Sequence, residues 1–478
     1  MKRLIATLSL LAMLAACHSS STKENPLLTE STLDYHAPDF SKIRPEHFIP
    51  AIEEGIRIQL AEIDSITKNP EAPTFENTVL AYEKSGRLLA RATSILSGLV
   101  GADGTEELQK IDEETTPMLS DHQDALLLNE KLFARIKAVY DQRSSLEGED
   151  LRLTELLYDQ FVHEGALLSP QDKEELKKIN SEIAVLQTKF TNQVNAGTKA
   201  AAVLVDRVED LDGLSKEAIA RAAEAATQAG QKGKYLLEQT NTTRPGYIAE
   251  LNNRDLRRRV LEASLNRCSA SDSTGTHATI TRIAELRATK AKLLGFSSFS
   301  AWALSDQMAQ RPEAVLRLVD QLAPACRAKV AEDAAELQAF AQKTKGKEFK
   351  LEAWDWDYYA ERLKKEKFDL NESDLKPYFV LDSVLENGIF FAANRLYGLT
   401  FKPRPDIPVY ADGVKVYEVF DKDNTPLALF YTDYFRRPTK TGGAWMSNFV
   451  QQSTLFGTKP VIYNVCNFPA PSKGAPAF

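Results

Sequence analysis

Few residues in this sequence stand at spacings that announce chemistry. In "FVHEGALL", His163-Glu164 opens the pattern by which two histidines four residues apart hold zinc from one helical face. The fourth residue on is Leu167, which has no lone pair for a metal, so His163 reads as a surface or interhelical histidine. Asp121, His122 and Asp124 in "SDHQD" read as a polar turn or solvated face sooner than as ligands. The six histidines are His18, His36, His47, His122, His163 and His277, so no imidazole is available beyond residue 277. No G-x-S-x-G elbow supports a serine nucleophile. "WDWDYYAERL", Trp354 to Leu363, interleaves aromatics with acids as a cage for a cation would. Trp354, Tyr358 and Leu363 also fit one buried helical stripe, and that is the simpler reading.

The richest stretch is "YTDYFRRPTKTGGAWMSNFV", Tyr431 to Val450. Arg436, Arg437 and Lys440 crowd a turn, and Gly442-Gly443 then leads into the strand-like Ala444-Trp445-Met446. Paired glycines let another backbone approach closely, as an edge strand requires if it is to pair with a peptide. A hairpin corner with its basic residues in solvent fits the same pattern equally well.

These residues need elements to hold them. Up to about Leu399 the chain reads as helix after helix. In "SPQDKEELKKINSEIAVLQTKFTNQV", Ser169 is placed to cap and Pro170 to open a helix. Its apolar residues Leu176, Ile179, Ile183, Leu186, Phe190 and Val194 step by three and four along one face. Further helix starts fall at Thr74, Ser215 and Arg311-Pro312, and a helix end at Gly398. Beyond it the period changes. "LTFKP", "IPVY", "VKVYEVF" and "LALFYTDYF" are strand-like runs, separated by the turn residues Ala411-Asp412-Gly413 and Asp421 to Asn424. The expectation is a mainly α protein, helical over residues 38–398, with a small antiparallel sheet at 399–466.

Composition narrows the partners. A net charge of −8 over 478 residues argues against nucleic acid, whose phosphates need a concentrated basic surface. Lys2-Arg3 followed by the short apolar run Leu4 to Ala16 reads as an export signal over residues 1–16. It ends in Leu14-Ala15-Ala16-Cys17, which resembles a bacterial lipobox. Cys17 would carry lipid, residues 17–37 would form a polar tether, and the protein would be exported and anchored to a bacterial membrane, periplasmic or outer-membrane associated. Cys268, Cys326 and Cys466 remain, an odd set without C-x-x-C spacing, and are expected to be buried and free.

Asp433, Arg437, Lys440 and Gly442-Gly443-Ala444-Trp445 stand in an order that resembles the zinc metallopeptidase family of thimet oligopeptidase and the peptidyl-dipeptidases. "PDFSKIRPEHFIPAIEEGI", "PTFENTVLAYEKSG", "LGFSSFSAWALSDQMAQRPEAV" and "YYAERLKKEKFDLNESDLKPYF" extend the resemblance along nearly the whole mature chain. "PVIYNVCNFPAP" is most similar to the bacterial peptidyl-dipeptidases, also called dipeptidyl carboxypeptidases. The resemblance implies a two-lobed, zincin-like helical ellipsoid around a deep channel that admits short peptides. It implies release of C-terminal dipeptides, with internal cleavage of short peptides as the alternative within the family. It implies one zinc held by H-E-x-x-H and a downstream glutamate, and a substrate backbone lying on a strand that includes Gly442, Gly443 and Ala444.

No H-E-x-x-H occurs in this sequence, which closes on "SKGAPAF" after a strand and a loop. The zinc ligands are therefore expected beyond residue 478, with the chain an N-terminal fragment whose catalytic and metal residues are absent. A non-catalytic, peptide-binding helical lipoprotein is the alternative of another class. An open reading frame past Phe478 that encodes H-E-x-x-H favours the fragment, and a stop codon there favours the binding protein. The polypeptide alone is expected to bind no stoichiometric zinc and to hydrolyse nothing. Metal analysis finding one tightly held zinc per chain would overturn that expectation.

Overall fold

The computed structural model of the chain describes residues 25–241, 243–270, 272–369 and 375–469. The signal sequence and Cys17, like the closing Ala477-Phe478, lie outside the described residues. The expected helical body is present. It comprises α1 (Phe48–Thr67), α2 (Arg87–Asp103), α3 (Glu106–Leu127), α4 (Glu130–Asp141), α5 (Gly148–His163), α6 (Pro170–Ala200) and α7 (Lys216–Gln228). It continues through α8 (Arg244–Glu250), α9 (Arg254–Leu265), α10 (His277–Leu293), α11 (Phe299–Leu304), α12 (Pro312–Lys345), α13 (Trp356–Phe368) and α14 (Phe391–Tyr397). The start signals act as capping chemistry predicts. Thr74 accepts from the Asn77 N–H and Ser215 from the Ala218 N–H, each satisfying an orphan donor of a first turn. Pro312 opens α12, where its missing N–H costs nothing. Gly398 ends α14 at φ 79°, and a Cβ there would lie 2.7 Å from the Lys422 side chain.

Two compact units result, one joining the chain up to Val185 with Phe390–Cys466, the other built around Leu186–Ile389. Helix α6 passes from the first into the second. Its stripe is buried at Leu176 and Ile179 but only half-buried at Ile183, Leu186, Phe190 and Val194, so periodicity found the face but not how far it is covered.

In the first unit, five antiparallel strands form the late sheet: β3 (Thr400–Pro403), β4 (Lys415–Phe420), β5 (Pro426–Phe435), β6 (Trp445–Val450) and β7 (Val461–Phe468), ordered β3-β4-β5-β7-β6. The preceding pair, β1 (Val203–Val205) and β2 (Tyr235–Leu237), belongs to the second unit and was too short to show in the pattern. The run Ile407 to Tyr410 is not a strand. Pro408 brings no N–H to a ladder, and the segment instead plugs Ile407 into the core, 4% exposed. Both expected turns are present, with Gly413 at φ 85° and Asn424 at φ 64°. One core joins the sheet to α1 and α2 through Ile52, Leu96, Leu99, Tyr431, Phe449 and Val465.

The second unit is tied by a buried carboxylate. Asp355 is fully buried and accepts from Arg257 at 2.8 Å and from Arg254 at 2.6 Å. Arg257, itself 2% exposed, also reaches the carbonyls of Leu251 and Trp354 and lies over the Tyr358 ring. Of the expected stripe only Tyr358 is buried, in a core with Tyr359, while Leu363 packs against that core and Trp354 is half-buried in the turn before α13. On α12, Val315, Leu318, Val319 and Leu322 share an exposed face among the described residues.

Burial alone would raise the Asp355 carboxyl pKa, but the two guanidiniums override it and hold the group below the usual carboxylate range. A folded-state pKa below the unfolded one gives stability present above the unfolded value and lost as pH falls through the folded one. Asp355→Ala leaves Arg257 charged and unpaired in the core, and is expected to cost about 3–5 kcal/mol in denaturant unfolding. The variant should also lose part of the wild type's acid-induced destabilisation below about pH 4.

Candidate functional site

Strand β5 ends in Asp433-Tyr434-Phe435, and the chain then crosses over β7 to begin β6 at the far side of the sheet. Among the described residues β6 has a strand partner on one side only, β7, with Trp445 opposite Val465 and Ser447 opposite Tyr463. The two edges of the sheet differ. Edge strand β3 carries Lys402 and Pro403, a charge and a missing donor that discourage pairing with another chain. Edge strand β6, Trp-Met-Ser-Asn-Phe-Val, has neither.

Alternation along β6 sends Trp445, Ser447 and Phe449 toward α2 and Met446 to the opposite face, where it is 61% exposed. Two glycines of α2 make room for the inward face. A Cβ on Gly98 would lie 2.6 Å from Phe449, and one on Gly101 3.4 Å from Trp445. Phe449 then closes an aromatic group with Phe40, Tyr410, Tyr431 and Tyr463.

The sequence placed Gly442, Gly443 and Ala444 on the peptide strand. The structure begins the strand at Trp445 and puts the glycines in a bend that approaches it. Gly443 has φ +109°, which takes the backbone out of the extended region and ends any strand there. No other atom lies within 4 Å of a Cβ built at Gly442 or Gly443, so what Gly443 supplies is conformational freedom, with open space beside both.

Two of the turn's basic residues, Arg437 and Lys440, are not part of a solvated corner, while Arg436 is half-buried. Lys440 is fully buried along its side chain, and four oxygens share its three N–H bonds. They are the Asp433 carboxylate at 2.7 Å, the Asp433 carbonyl at 3.0 Å, the Phe435 carbonyl at 2.6 Å and the Cys466 carbonyl at 3.0 Å. Arg437 donates to the Asp433 carboxylate and, at 2.8 Å, to the carbonyl of Ala102. Its Nε lies 3.3 Å from Asp103. Tyr410 donates to the second Asp433 oxygen at 2.8 Å, so this carboxylate, 1% exposed, is fully engaged. The backbone completes the join: the Gly104 N–H donates to Thr439 and the Thr441 N–H to Gly101, each at 2.9 Å.

Burial pushes the Lys440 ammonium pKa down, and the adjacent Asp433 carboxylate only partly offsets this. Burial and the same carboxylate push the Tyr410 phenol well above its ordinary value, so it stays a donor. The sequence order singled out Asp433, Arg437 and Lys440. It gave no sign of Tyr410, Asp103 or Thr439, whose roles come from contacts across the fold.

The decoys resolve differently. His163 is the last residue of α5, and no group of three His, Cys, Asp or Glu that could hold a metal occurs among the described residues. These residues do not fit a zinc site. "SDHQD" is not a turn: it lies inside α3, with Asp121 and Gln123 on its exposed face and His122 and Asp124 each 6% exposed. His122 Nε2 meets Gln59 at 2.7 Å, and Asp124 accepts from Asn180 at 2.8 Å. Of the three cysteines among the described residues, all free, Cys268 and Cys466 are half-buried and Cys326 is exposed, so none is fully buried as expected.

Residues 247–478, which include the whole sheet and its loop, match the model of peptidase family M3. The chain is similar to the dipeptidyl carboxypeptidase of Escherichia coli K12, 44% identical over 458 residues, covering 95% of this chain and 67% of the relative. It is likewise 44% identical over 455 residues to the dipeptidyl carboxypeptidase of Salmonella typhimurium LT2, with 95% of this chain and 67% of the relative covered. Oligopeptidase A of the same Salmonella strain is 29% identical over 462 residues, at 95% and 67% coverage.

The seat of β6 on α2 is open to a direct test. Gly98→Val must displace Phe449 from a packed aromatic group and is expected to cost about 1–3 kcal/mol in denaturant unfolding. Gly101→Ala meets Trp445 at ordinary contact distance and is expected to be neutral or to gain up to about 1 kcal/mol from helix propensity. Equal effects of the two would show that β6 does not rest on this face.

Proposed function

The chain belongs to peptidase family M3, and on that premise we propose that β6 is the strand along which a short peptide substrate lies, in an enzyme that releases C-terminal dipeptides. The observation that carries the reading is the contrast between the two sheet edges. One is blocked by Lys402 and Pro403, while the other is left without charge or proline and is fastened from behind by buried ion pairs. An extended peptide added there would exchange backbone N–H···O=C bonds with alternate residues of β6, and its side chains would fall on both faces of the sheet.

The higher identity to the two dipeptidyl carboxypeptidases than to oligopeptidase A supports the dipeptide-releasing mode. Zinc is the ion the family implies; where bound, it polarises the scissile carbonyl and activates water. The described residues supply no donor set for it, so the part assigned to this chain is to bind and orient the peptide. The 478-residue polypeptide is proposed to hydrolyse nothing by itself, because its sequence has no H-E-x-x-H. Export and lipid attachment at Cys17 are also proposed, supported by the order of basic, apolar and small residues before it.

Binding of fluorescent penta- to octapeptides tests the edge. Unstructured peptides with a free C-terminus are expected to bind, and N-methylation of alternate peptide bonds in one register should weaken binding at least tenfold. Equal affinity in both registers, or no binding, would sink the β6 reading. Equal binding of C-terminally amidated peptides would favour internal cleavage over dipeptide release. Radiolabelled palmitate should enter the wild type in a bacterial host and not Cys17→Ala.

A further inference from the structure

The ammonium of Lys440 has no evident use in a reaction, because it is sealed from solvent and from the open side of β6. Its four oxygens come from two strands: the last residues of β5, Asp433 and Phe435, and β7 at Cys466. These are the segments that the loop must bridge to deliver Trp445 to the edge. A neutral side chain of the same length would take this donor from three carbonyls and the countercharge nearest the Asp433 carboxylate, which would keep only Arg437 and Tyr410. Burial of an ammonium is costly, so its presence here needs a return other than packing.

We propose that Lys440 is the positioning residue of the peptide edge. Through Asp433 and the two carbonyls it fixes where the loop leaves β5, and through Cys466 it fixes the loop against β7. The glycine bend then has one place from which to start β6. Arg437 extends the same clamp to the last turn of α2 through Ala102 and Asp103. The edge is thus preformed, and a peptide that binds it does not have to order the loop. This inference rests on the β6 reading for its functional meaning but not for its structural test.

The test uses Lys440→Met and, where that variant fails to fold, Lys440→Gln, which keeps donors without the charge. Amide hydrogen exchange is expected to accelerate at least tenfold across residues 441–449 in the variant, with β4 and β5 protected as in the wild type. Leu132→Ala, which opens a cavity in a separate core cluster, should instead raise exchange of the slow amides together. Peptide affinity is expected to fall at least tenfold in the Lys440 variant and to hold in Leu132→Ala. Lys440→Ala should regain edge protection with millimolar ethylammonium. Unchanged exchange at 441–449, or acceleration spread evenly over the sheet, would overturn the proposal. Localised acceleration in a protein whose wild type binds no peptide would uphold the positioning role and remove the peptide reading.

Discussion

The first unit depends on one buried charge pair, Lys440 with Asp433. Its energy is not the reason it matters, since two desolvated charges return little net stability. The constraint is geometric. The Asp433 carboxylate takes Lys440 and Arg437 from the loop after β5 and Tyr410 from the segment before β4. Removing Asp433 leaves the buried Lys440 charge without its counter-ion, and removing Lys440 takes a donor from three carbonyls, so the loop, the helix end and the sheet hold a single arrangement.

The glycines of α2 serve the same end by a different route. Gly98 and Gly101 lower the helix surface so that Phe449 and Trp445 can lie directly on it. The inward face of β6 is therefore filled, and what the strand still has to offer is its open backbone and Met446. The opposite edge closes with Pro403, so the sheet can be extended from one side. The second unit repeats the principle with Asp355 between Arg254 and Arg257. Each unit thus carries a buried carboxylate satisfied by two cations, which fixes loops that regular backbone pairing does not reach.

Much of this was legible in residue order. Caps at Thr74 and Ser215, the proline openings at Pro170 and Pro312 and the glycine stop at Gly398 are local chemistry, decided within a turn or two. The switch to a sheet after Gly398 was equally plain. The misreadings share one cause. Lys440 and Arg437 could be read equally well as a solvated corner, because spacing does not show that Asp433 beside them is buried or that Arg437 reaches Ala102 and Asp103, more than three hundred positions away. His122 and Asp124 looked like a polar turn, and are instead enclosed within α3 by partners on other helices. Ile407 to Tyr410 has strand composition, but its proline and its anchoring contacts outweigh propensity.

The sequence by itself determined the helical body, the late sheet, the family and the motif on which a peptide edge is proposed, because these follow from short-range periodicity and residue order. It also determined that no H-E-x-x-H lies within these residues. Only the tertiary structure decided that the strand starts at Trp445 and not at Gly442. It alone showed that Lys440 is a buried tie, and that the sheet has one guarded and one unguarded edge. Those properties depend on which distant groups surround a given atom, and burial and strand order are not written in the spacing of neighbours along a chain.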